Sequence, residues 1–124
     1  MPRTLLVGIG GLVGSLCRYW LTGFVQQWNG AEFPLGTLAV NVLGSFIIGL
    51  IFALSIERGL LSADTRVLLT TGFCGGFTTM STFSFETVSL LRDGSTAAAF
   101  GNVAATLVLC LGAVWLGDLT ARIL

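Results

Sequence analysis

The chain has no histidine and no lysine, and charge is confined to six arginines and six acidic residues. Charged residues make up 10% of the total, against about a quarter in a soluble domain. That deficit argues against a water-soluble fold. The formal net charge is zero, so no basic face is available for nucleic acid. Without histidine the usual general base is missing. The acids Glu57, Asp64, Glu86, Asp93 and Asp118 fall at the ends of apolar runs, where no nucleophile–base pair can share a depth. An enzyme is the weakest reading. Cys17, Cys74 and Cys110 stand far apart inside apolar runs, without metal-ligand spacing and odd in number. They read as reduced thiols acting as small hydrophobes.

What is present is four long apolar runs. A bilayer core needs about 20 mostly apolar residues per helix, and the runs cover about 4–26, 36–56, 66–91 and 96–123. The first outlasts a signal-peptide core of roughly 7–15 residues and shows no small-residue cleavage site, so it reads as a membrane helix. The connections "QWNGAEFPLG", "ERGLLSADT" and "RDGS" carry turn chemistry. Pro34 precedes the second helix, and Ser62 or Asp64 can cap the third. The expected fold is an all-α membrane protein, one four-helix domain over 1–124. Four crossings put both termini on one side, with Arg3, Arg58, Arg66 and Arg122. The other side holds Arg92 and, if it snorkels that way, Arg18. This arginine bias favours cytoplasmic termini. Gly10–Gly14, Ser45–Gly49, Gly101–Ala105 and Ala113–Gly117 repeat a small-xxx-small spacing that lets helix backbones approach within the chain or between copies.

Polar residues in hydrocarbon need partners or a watery route. Asn41, early in the second helix, reads either as an interhelical hydrogen bond or as a donor lining a pore. Asn102, Thr106 and Cys110 recur every four residues, as one weakly polar stripe on one helix face. Arg18, beside Tyr19 and Trp20, reads as an interfacial anchor and as a positive vestibule for anions. The stretch "GFCGGFTTMSTFSFE", 72–86, is the least like a plain membrane span. Paired glycines weaken a helix by about 1 kcal/mol each, and β-branched threonines follow them, so a break near Gly75-Gly76 is expected. Freed backbone groups at membrane depth are tolerated where they bind something or line a cavity. Thr78, Thr79, Ser81, Thr82 and Ser84 supply hydroxyls, and Phe77, Phe83 and Phe85 supply rings with partly positive edges. Such donors suit a small hard anion.

These motifs resemble the Fluc (CrcB) fluoride channels of bacteria over nearly the whole chain. "GGLVGSLCRYW" is similar to that family's first-helix G-x-x-G-x-x-x-R-[YW], and "GTLAVNVLGSFIIG" to its G-T-L-x-x-N-x-x-G-x-F-x-x-G. "TTGFCGGFTTMSTFSFE" is similar to its T-G-x-x-G-G-[LF]-T-T-F-S-T-F-S-x-E. The resemblance implies an antiparallel, dual-topology homodimer with two pores in the inner (plasma) membrane of a bacterium. It would export fluoride passively and so relieve fluoride toxicity. It also implies a structural sodium ion at the dimer centre, held by backbone carbonyls that would here be those of Gly75 and Thr78. The implied fluoride path runs over Asn41, Phe83, Met80, Ser81, Thr82, Thr37, Thr106 and Cys110, with Glu86 near one pore end and Arg18 in the vestibule.

The chain departs from the pattern at three places. Met80 replaces an aromatic before S-T-F-S, keeping flexible volume and losing a ring edge. Asn102 and Cys110 stand where members often have Tyr and Ser. The arginine bias exceeds what dual topology needs. Two rivals remain. A small multidrug transporter, also a dimer of four-helix chains, needs an acidic residue mid-way along the first helix, and none lies between Arg3 and Tyr19. A non-transporting assembly subunit explains the small-residue faces but not the hydroxyl-rich break.

Overall fold

Continuous apolar runs dictate helices, because hydrocarbon leaves backbone polar groups no partner but each other. The computed structural model describes residues 1–29 and 32–124, and among them every regular element is helical. Helix α1 (Arg3–Asn29) fills the first run. Helix α2 (Leu35–Phe52) starts at Pro34 and continues as a π-helical turn, Ala53–Glu57.

The third run is assembled from pieces. Ser62 caps it, its hydroxyl accepting from the Thr65 N–H at 3.1 Å. Asp64 instead pairs with Arg3 at 3.0 Å. Helix α3 (Ala63–Val67) passes into a π-helical segment, Leu68–Cys74, and then α4 (Gly75–Phe77). Two extended residues follow, Thr78 (φ −92°, ψ 160°) and Thr79 (φ −153°, ψ 117°). Helix α5 (Met80–Arg92) then resumes the climb. A turn through Gly94, at φ +81°, leads into α6 (Thr96–Ile123). Of the four expected crossings, three are single helices long and apolar enough to span: Arg3–Trp28, Leu35–Glu57 and Thr96–Ile123. The third is divided between the segment 63–77 and α5.

The break does not fall at Gly75-Gly76. Both glycines are helical, and the chain opens at Thr78–Thr79. The glycines serve packing instead. A Cβ on Gly76 would stand 2.5 Å from the Gly11 carbonyl oxygen, so only glycine lets this turn reach α1. Gly10 and Gly14 press from the other side on the Leu68 and Phe73 carbonyls. On the far side of the bundle, α2 and α6 pack over their length. There Gly49 meets the Val114 backbone and Gly117 meets the Phe46 carbonyl. Gly101 faces open space, so its small-residue pair seals no contact within the chain.

The polar ends converge as the crossing pattern requires. Arg122 pairs with Glu57 and, at 2.8 Å, with Asp118. Arg58 donates to the Ala121 carbonyl at 3.0 Å, and Arg66 donates to the Ser55 hydroxyl at 3.1 Å. Both termini and the connection after α2 therefore share one end.

Candidate functional site

The break exists because a side chain replaces helical hydrogen bonds. Asn41, on α2, accepts from the Thr79 N–H at 2.8 Å and donates through Nδ2 to the Thr79 carbonyl at 3.1 Å. One amide thus takes both backbone groups of one extended residue. In an unbroken helix that N–H would serve the Gly75 carbonyl. The Thr79 hydroxyl then starts the next helix, accepting from the Thr82 N–H at 3.1 Å. That N–H is the one a continuous helix would bring to the Thr78 carbonyl. So the Gly75 and Thr78 carbonyls each lose their helical donor, while the Thr78 hydroxyl bonds back to Cys74 at 3.0 Å.

Two cavities flank the break. The larger, about 580 Å³, is lined by Asn41, Gly75, Thr78, Met80, Phe83, Thr106 and Cys110, together with Ser45, Thr70 and Thr71. The smaller, about 260 Å³, holds Arg18, Thr22, Thr37 and Thr82. Thr79 lines both. Arg18 donates from Nε to the Gly76 carbonyl at 2.9 Å, which ties α1 to the turn before the break. Thr37 is 3% exposed and Thr106 is 8% exposed, and neither hydroxyl has a hydrogen-bond partner. Buried hydroxyls without partners are costly; Thr106 lines the larger cavity and Thr37 the smaller.

Other expected residues lie apart. Ser81 is exposed and lines neither cavity, nor does Glu86, whose Oε1 is buried without a partner. Of the three rings drawn from the motif, only Phe83 reaches a cavity. Phe77 is buried and stacked on Phe73 at 5.3 Å, and Phe85 is 71% exposed. Asn102 separates from its stripe. Thr106 and Cys110 line the larger cavity, and Asn102 turns toward α5.

Four hydroxyl-bearing lining residues were not singled out from the sequence, although a spacing rule finds two of them. Ser45 lies four residues after Asn41 and Thr22 four after Arg18, each pair on one helix face. Thr70 and Thr71 have no comparable signal, because the π-helical winding of Leu68–Cys74 shifts the faces they share. No group of three or more His, Cys, Asp or Glu side chains that could hold a metal occurs among the described residues.

Residues 5–118 match the family model described as "CrcB-like protein, Camphor Resistance (CrcB)". The chain belongs to this family. A relative from Citrifermentans bemidjiense is 47% identical over 124 residues, covering all of both chains. One from Opitutus terrae is 51% identical, covering 98% of this chain and 93% of its own. Both are named fluoride-specific ion channel FluC. A third, from Methanosarcina acetivorans, is 48% identical with 98% and 92% covered, and is named fluoride-specific ion channel FluC 1. Family membership and three spanning helices make this chain a multi-pass membrane protein.

Proposed function

We propose that the chain is a subunit of a passive fluoride-selective channel that releases F⁻ from the cytoplasm across a bacterial inner membrane. The observation that carries this reading is the extended Thr78–Thr79 break at membrane depth, clamped by Asn41 and flanked by unpartnered buried hydroxyls. Fluoride must shed tightly held water to enter a narrow path. Replacement donors must already be in place, because fixed donors in a low-dielectric site act more strongly than mobile water. The second N–H of the Asn41 amide, the Thr106 hydroxyl and the edge of the Phe83 ring are such donors, and all three residues line one cavity. Arg18 and the Thr37 hydroxyl give the smaller cavity an anion-attracting wall. Ser81 and Glu86 join the path only beyond these cavities.

Gly75, Thr78 and Met80 line the larger cavity, and Gly75 and Met80 are exposed, so this face is uncovered in the single chain. A second, inverted copy laid on this face would close it, giving an antiparallel homodimer with two pores. A structural sodium ion fits the donor set. The Gly75 and Thr78 carbonyls are stripped of helical donors, and a symmetric partner would double them. The ion would neutralise facing carbonyl dipoles and raise the local positive potential.

Anion efflux from liposomes carrying the purified protein tests the function. Rapid fluoride release with chloride retained is expected. Trapped fluoride together with proton-driven uptake of a cationic dye would instead identify a multidrug transporter.

A further inference from the structure

Asn102 is 2% exposed and among the most deeply buried side chains, yet it lines neither cavity. Its Nδ2 donates to the Thr87 hydroxyl at 2.9 Å, and that hydroxyl donates in turn to the Phe83 carbonyl at 2.8 Å. An amide on α6 is thus wired through a hydroxyl to the backbone of the one motif phenylalanine that faces the larger cavity. Helix α5 has few other holds. Leu90 is its only buried residue, and Met80, Phe85, Val88 and Leu91 are exposed. A polar link in an apolar setting fixes geometry closely, because either group left alone there would be unpaired. Thr87 bonds back to Phe83 within one helical turn, so the link acts at the turn that aims Phe83.

We infer that Asn102 is a positioning residue for conduction. Through Thr87 it holds the Phe83 turn of α5 at the place and pitch that presents the ring to the permeating anion. The inference rests on the channel reading above. It gives Asn102 no contact with the ion, which sets it apart from Thr106 and Cys110 on the same helix.

The test compares Asn102→Leu, Thr87→Val and their combination with the parent, all reconstituted in liposomes. Fluoride and chloride efflux are measured per folded channel, counted from the monodisperse fraction. Each single change should lower fluoride efflux about tenfold or admit measurable chloride. The double variant should be no worse than the worse single, because both changes cut one link. Thr87→Ser keeps the hydroxyl and should conduct like the parent. Thr87→Val keeps the test decisive if Asn102→Leu does not fold. Parent-like flux and selectivity in Thr87→Val, or single effects that multiply in the double, would overturn the inference while the channel reading stands. A parent chain that releases no fluoride would overturn both.

Discussion

The two halves of the third crossing are held by different forces. The upstream half, 63–77, is seated backbone against backbone. Gly10, Gly14 and Gly76 leave no room for a side chain between it and α1, and Thr70, Gly72, Cys74 and Phe77 are buried along it. The downstream half, α5, buries one leucine and is fixed by Asn41 at its start and Asn102 further up. Close packing admits little adjustment, whereas hydrogen bonds aim one group at one place. The upstream half is therefore a rigid seat, and α5 is an arm whose position is set by amides. The two cavities lie around the junction of seat and arm, where Thr79 lines both.

Adding bulk to the seat breaks this contrast most severely. Gly76→Val would drive a branched side chain into the Gly11 carbonyl, where even a Cβ stands 2.5 Å away. Overpacking costs about 1–3 kcal/mol where side chains can give, and a backbone carbonyl cannot. The expected outcome is loss of monodisperse protein in gel filtration. Normal recovery would show that the glycine contacts do not define the seat. A far smaller effect is expected at the charged end. Glu57→Gln removes an exposed partner of Arg122, and exposed ion pairs, screened by water and salt, contribute little to stability. Thermal melting should shift slightly, and less in high salt, with fluoride flux unaltered. The smallest effect is expected at the head of the arm. Met80 is 69% exposed in the single chain and lines the larger cavity, so Met80→Phe should keep or raise fluoride efflux. A clear loss would mean that the methionine is fitted to its neighbours.

Much of this architecture was legible in the sequence, because long apolar runs and the scarcity of charge leave helices as the only option. The ends of α1, α2 and α6 fell within a few residues of expectation for that reason. A break near Gly75-Gly76 was legible, but its position at Thr78–Thr79 was not. Glycine's low helix propensity pointed to Gly75-Gly76, but propensity gave way to tertiary contact. Gly76 stays helical, and its bare backbone serves the close approach of α1. Thr79 is extended because a side chain 38 residues earlier takes both its backbone groups. No local pattern encodes that pairing. Asn41, Thr106 and Phe83, singled out by residue type, line the larger cavity. Phe77 and Phe85 carry the same ring chemistry and differ only in the face they present, which the broken helix sets. Asn102 shared a spacing with Thr106 and Cys110, and only the neighbouring Thr87 reveals its different partner.

The central claim is that the Asn41–Thr79 clamp lies on the anion path. Asn41→Asp tests it most directly. A carboxylate can still accept from the Thr79 N–H, but it has no N–H for the Thr79 carbonyl and places a negative charge beside the route. A buried donor lost to a charge costs at least about 2–3 kcal/mol. Fluoride efflux per folded channel should therefore fall by roughly 100-fold or more. Flux equal to the parent in a folded Asn41→Asp channel would contradict the account and return Asn41 to a purely structural role.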